Sequence, residues 1–133
     1  MGSTHVTVIL RPRTGSRKKY QAKFLVDTGA MDCLAPASKL EKAGFKPAGR
    51  MTYELADGST ADFYFCLADI EFMGEITAGR VIFGPENAEP LLGVTALESA
   101  GMVVDPSTQR LKRLPAVRLK LAATIPRSTG NSA

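Results

Sequence analysis

Phe24-Leu25-Val26-Asp27-Thr28-Gly29-Ala30 decides how this chain is read. Three apolar residues run straight into an acid, a hydroxyl and a glycine. A carboxylate placed directly after a buried apolar run is costly unless it is paired or used. Held at the tip of a buried strand, it can activate a water once a partner sets its protonation state. Gly29 lets the backbone turn and another chain approach closely, and Thr28 offers a hydroxyl that can lock the loop. The bland reading of Asp27 is a turn residue after a strand, where Asp and Gly are common anyway. The tripeptide alone arises by chance in roughly a few per cent of chains this long, so its surroundings must carry the decision.

Those surroundings read as many short strands and two short helices. His5-Val-Thr-Val-Ile-Leu10 is rich in β-branched residues, Arg11 to Arg17 is a turn, and Tyr20 to Val26 alternates before becoming wholly apolar. The pair predicts a hairpin that delivers Asp27 at its end, the second strand starting half exposed and ending buried. Pro36 to Ala43 fits a short helix stopped by Gly44. Met51 to Leu55 and Thr60 to Leu67 flank Ala56-Asp57-Gly58-Ser59, a strong hairpin signal because Gly accepts positive φ. A second hairpin, Ala68 to Phe72 and Glu75 to Thr77, turns at Met73-Gly74. Gly79 to Phe83 is a further strand and Gly84 to Pro90 a polar loop. Leu91-Leu92-Gly93 leads into a helix over Val94 to Ala100, stopped by Gly101. Met102 to Asp105 and Gln109 to Leu114 flank the turn at Pro106-Ser107. Val117 to Leu121 can add an edge strand, and Arg127 to Ala133 is expected to be disordered. The fold class is therefore all-β, mostly antiparallel, with one or two short helices.

The motif resembles the hydrophobic-hydrophobic-Asp-Thr-Gly-Ala signature of the retropepsin-like aspartic proteases. Other features fall in that family's order: a flap-like hairpin over Met51 to Leu67, Leu91-Leu92-Gly93, and a short helix after it. The Leu91-Leu92-Gly93-Val94 string and the Val103-Val104-Asp105-Pro106 turn look closest to the bacterial branch. The resemblance spans roughly residues 5–114. It implies an acid-protease barrel with one lobe per chain, a protease domain over residues 1–115 and a basic extension over 116–133.

Aspartic proteolysis needs two carboxylates sharing one proton, because like charges about 3 Å apart cannot both ionise. The chain holds one Asp-Thr-Gly and is too short for a second lobe. A two-fold dimer resolves the shortage by bringing identical residues together at the axis, so Asp27 is expected to face Asp27 of a second copy. The resemblance assigns further roles. Thr28 would bond across the axis, while Gly29 and Ala30 would present backbone groups to an extended polypeptide substrate. Leu55, Ala56, Asp57 and Gly58 would close over it as a flap. Leu91 and the loop from Asn87 to Pro90 would line apolar pockets beside the scissile bond, and Asp32 is expected to contribute to substrate binding. Tyr53, on the flap strand, reads either as cross-strand packing or as reaching the cleft. Viral relatives carry two acids after the Ala and an Arg after the late Gly, which brace their dimer. Here Met31 and Asp32 follow Ala30 and Val94 follows Gly93, so that brace is missing.

Composition narrows the classes. The 133 residues are 44% hydrophobic and 23% charged, with a net charge of +4, as expected of one globular domain. No run is long and apolar enough for a membrane span, and no export signal is visible, so a cytoplasmic protein with two reduced thiols, Cys33 and Cys66, is expected. One histidine, His5, and no CxxC pair leave little from which to build a metal site; neither a metal nor a cofactor is expected. Residues 1–26 hold six basic residues and no acid, residues 106–133 likewise, and all 13 acids lie between them. Two other readings compete with a peptidase. One is a retropepsin-fold dimer that binds without cleaving. The other is a basic nucleic-acid-binding barrel, against which stands the near absence of aromatics beside the basic runs; the simpler reading is solvated termini that complement an acidic middle.

Overall fold

The computed structural model describes residues 4–121, and the alternating stretches do become strands. β1 (His5–Pro12) and β2 (Tyr20–Asp27) form the first antiparallel hairpin, with Val8 opposite Ala22. β3 (Cys33–Pro36) and α1 (Ala37–Lys42) follow, then β4 (Gly49–Glu54), β5 (Thr60–Phe72) and β6 (Glu75–Gly84). β7 (Leu91–Gly93) runs directly into α2 (Val94–Ser99), and β8 (Met102–Asp105) and β9 (Arg110–Arg113) close the chain.

Six strands close into a barrel in the order β1-β2-β7-β3-β6-β5, with β5 pairing back onto β1 through Leu10 opposite Ile70. Two pairings are parallel, β2 with β7 and β3 with β6; the others are antiparallel. β4 hangs on the free half of β5, outside the closed ring, and β8–β9 make a separate two-stranded sheet. The interior is filled by Val8, Leu10, Phe24, Ile70, Phe72 and Leu92, each at most 2% exposed. Burial of each such side chain contributes roughly 1.5–3 kcal/mol, so the barrel is a packed core rather than a pore.

Several local readings change. β3 was not anticipated: Pro36 ends that strand and caps α1 instead of opening the helix. The two strands expected over Thr60 to Phe72 are one strand of 13 residues, and Glu75 to Gly84 is likewise continuous. Leu25 and Val26, expected to be buried, are half-exposed; Phe24 alone of the three is sealed in the core. Val117 to Leu121 pairs with no strand among the described residues, and the tail from Arg127 lies outside them. The turns behave as expected. Met73 and Gly74 both take positive φ, at 52° and 80°, and Gly58 sits at 88°, the left-handed region that glycine enters without a Cβ penalty.

The basic ends pair with the acidic middle. Arg11 meets Glu71, Arg13 lies 3.3 Å from Asp69, and Arg113 lies 3.4 Å from Glu75. These exposed pairs are each worth at most about 1 kcal/mol, yet they occupy cations that an anionic ligand would otherwise meet. Among the described residues no helix is long and apolar enough to cross a membrane.

Candidate active site

Asp27 is the last residue of β2, placed there by pairing on two sides. Leu25, Val26 and Asp27 run in parallel register with Leu91, Leu92 and Gly93. On that edge Leu25 also donates its N–H to the Pro90 carbonyl at 2.9 Å, and on the β1 edge Val26 donates to the Thr4 carbonyl at 2.8 Å. The chain then turns: Ala30 N–H reaches back to the Asp27 carbonyl at 3.1 Å, and Gly29 N–H donates to Asp27 Oδ1 at 2.9 Å. A Cβ on Gly29 would lie 3.2 Å from the same oxygen, tighter than ordinary contact, so the absence of a side chain keeps the acid's position open.

The loop after Asp27 is fixed by α2. Val94 N–H donates to the Ala30 carbonyl at 2.8 Å and Thr95 N–H to the Met31 carbonyl at 3.2 Å. Gly93 allows this approach, because a Cβ there would sit 2.5 Å from the Asp32 carbonyl oxygen. The hydrophobic-hydrophobic-Gly string thus has a local physical cause. Two apolar residues anchor the parallel strand, and the third position must carry no side chain for the acid's loop to pass.

A cleft of about 330 Å³ opens beside this loop, walled by Gly29, Ala30, Asp32, Leu55 and Leu91. Its apolar floor comes from Leu34, Phe63 and Ile82, which the sequence did not single out. Phe63 had a signal: with Tyr53 and Leu55 it belongs to the inward-alternating face of the hairpin. Pro90 serves through its carbonyl rather than as cleft lining. Ala56, Asp57 and Gly58 lie on the exposed hairpin tip, beyond the lining residues. The tip is self-contained: Leu55 N–H donates to the Ser59 carbonyl at 2.7 Å, and Ser59 gives both its N–H and its hydroxyl to Asp57. Those two bonds hold the Asp57 carboxyl below its usual range.

Asp27 and Thr28 face the other way, onto an open surface shared with Thr4, Leu25, Val104 and Gln109. Thr28 is exposed and Asp27 half-exposed in the single chain. Asp32, expected in the cleft, is there, and it accepts the Tyr53 hydroxyl at 2.7 Å. Burial, then the bond to Asp32, pushes the Tyr53 hydroxyl up to about 12. Cys33 and Cys66 are buried free thiols, pushed up by burial to about 11 and about 12. Among the described residues no three His, Cys, Asp or Glu side chains are grouped to hold a metal.

A closed six-stranded barrel with Asp-Thr-Gly at the end of a strand that pairs in parallel with Leu-Leu-Gly defines a class, and the family comparison agrees. The chain belongs to the aspartyl protease family, whose model matches residues 14–96. Among solved structures it is similar to the retroviral protease-like domain of Ddi1 from Leishmania major, at 18% identity and a TM-score of 0.50, covering 85% of this chain and 90% of that one. It is also similar to a retropepsin-like aspartic protease from Rickettsia conorii, at 22% identity and a TM-score of 0.43, covering 79% and 89%. The first likeness is one of fold: the retropepsin-like barrel expected from the sequence is the fold observed. No curated protein matches.

Proposed function

We propose that two copies of this chain form an aspartic endopeptidase whose water is activated between two Asp27 carboxylates, one from each copy. The observation that carries this reading is the placement of Asp27: it lies on an open, half-exposed face, and its carboxylate accepts from Gly29, which with Ala30 walls the apolar cleft. The other acids nearby are engaged. Asp32 bonds Tyr53, while Asp57 and Asp105 bond the serines of their own turns. A second carboxylate for Asp27 is then most simply supplied by symmetry.

In the dimer the two carboxylates share one proton, and their titration belongs to the pair. The ionised member takes a proton from water as its oxygen attacks the scissile carbonyl carbon, and the protonated member donates to the carbonyl oxygen. Collapse of the tetrahedral intermediate breaks the C–N bond, and the amine leaves with a proton from the dyad. Thr28 bonds across the axis beneath the acids. Gly29 and Ala30 offer backbone groups to a substrate lying as an added strand, and Leu55 to Gly58 close over it. The walls built by Leu34, Leu55, Phe63, Ile82 and Leu91 favour large apolar side chains beside the cleaved bond.

The test is Asp27→Asn assayed on peptides with apolar residues flanking the scissile bond. Loss of cleavage with the sedimentation of a dimer unchanged is the expected result. Cleavage at the wild-type rate in the variant would overturn the mechanism.

A further inference from the structure

The hairpin that overhangs the cleft divides into two parts. From Leu55 to Ser59 every residue is exposed, and the turn is held only by its own bonds. Two residues below Leu55, Tyr53 leaves the sheet's inner face and donates its hydroxyl to Asp32 Oδ2 at 2.7 Å. Its ring packs on Phe63, with centroids 6.3 Å apart. Asp32 is a fixed post. The residue before it is held through its carbonyl by Thr95 N–H, the residue after it is the buried Cys33, and its own backbone abuts Gly93. Among the described residues β4 pairs with β5 alone, outside the closed ring. The Tyr53–Asp32 bond is therefore a side-chain tie from the outer strand to the loop that carries Asp27.

We propose that Tyr53 is a positioning residue that pins the root of the hairpin to the Asp27 loop, so that only the segment beyond it, residues 54–60, swings over substrate. This rests on reading Asp27 as the catalytic acid and the hairpin as its flap. Tyr53 touches no reacting atom; it acts through Asp32 and through Leu55, the wall residue next along the same face. With the tie made, the wall of Leu55 and Phe63 stands at a set distance from Leu34 and Leu91. With it broken, the whole of β4 can lean away, and a smaller fraction of molecules holds the substrate-ready cleft. Apparent binding weakens by that fraction, while the rate of the closed complex stays as it was.

The decisive variant is Tyr53→Phe, which keeps the ring on Phe63 and removes only the donor. Amides of residues 50–54 should exchange with solvent faster by about 10- to 100-fold, the loss expected for one hydrogen bond to a carboxylate, with β1 and β2 unchanged. On an apolar peptide KM should rise by a similar factor with kcat within about twofold. Asp32→Ala should reproduce the exchange effect, and the double variant should be no worse than either single one. Asp32→Asn, whose amide oxygen still accepts from the hydroxyl, should recover much of the protection. Unchanged exchange at 50–54, a fall in kcat at constant KM, or multiplying effects in the double variant would each overturn the proposal. If the wild-type chain cleaves no peptide, the catalytic reading fails on its own, and the exchange experiment still decides whether the tie exists.

Discussion

Asp27 and Gly93 lie opposite one another in parallel register, so the acid's strand and the strand before α2 are one structural unit. A methyl group at position 93 would meet the Asp32 carbonyl oxygen at 2.5 Å, and that neighbour is backbone, which cannot swing aside. Gly93→Ala is expected to cost about 3 kcal/mol, lowering the melting temperature by roughly 10 °C. Calorimetry of the variant checks this, and a melting temperature within a degree of wild type would contradict the packing described.

The proposed sharing of one site by two Asp27 carboxylates makes a quantitative statement about mixtures. When wild-type and Asp27→Asn chains exchange freely at equal amounts, about a quarter of the dimers carry two aspartates. Peptidase activity should fall to about a quarter of the all-wild-type value at the same total concentration. A fall to only about half would mean that each chain works alone.

Residues beyond β9 are proposed to contribute to the dimer. Val117, Leu119 and Leu121 alternate along the chain and are 58%, 75% and 63% exposed, with no strand partner in the described chain. Val117 touches the surface near Gly101, where a Cβ would lie 3.0 Å from its Cγ2. Ending the chain at Pro115 is expected to weaken self-association by at least tenfold in sedimentation, because several exposed apolar side chains are lost from the associating surface. Unchanged association would remove this segment from the interface.

The thiols give a chemical signature. Burial raises Cys33 to about 11 and Cys66 to about 12, from an ordinary value of 9.0. Because the folded values lie above the unfolded one, the folded state keeps these protons longer as pH rises. Their stabilising contribution is complete below about pH 9 and is lost as pH climbs toward 11 to 12. Tyr53, raised to about 12, acts in the same direction. Melting temperature should be level near neutrality and decline above about pH 9. A thiol reagent at pH 8 should label neither cysteine until the protein is unfolded, and both afterwards.

What the sequence revealed and hid follows from the range of the interactions. The hairpins at Asp57-Gly58 and Met73-Gly74 were legible because a turn is a local event with its own residue chemistry. β3 was not, since Cys33–Pro36 is four residues long and takes its partners from Val81–Gly84 and Leu91, far away in sequence. β5 looked like two strands because its partners change along its length, β4 for the first half and β1 for the second. Leu25 and Val26 read as core because apolar character does not say which neighbour covers it. The acid, its glycine and the Leu-Leu-Gly string were readable as a pattern. The tie from Tyr53 to Asp32 was not, because 21 residues separate two groups whose meeting depends on the barrel's closure.

The parallel pairing of β2 with β7 also has a bearing on synthesis. Position 27 leaves the ribosome before positions 91–95, which hold the strand and the two amides that shape its loop. Contacts of such sequence separation form late, since loop closure must come before any of them is rewarded. A nascent chain carrying the acid alone has no shaped loop and no cleft wall. The order of residues along the polypeptide thus acts as a timer that keeps the site unassembled until residues 91–95 have been made.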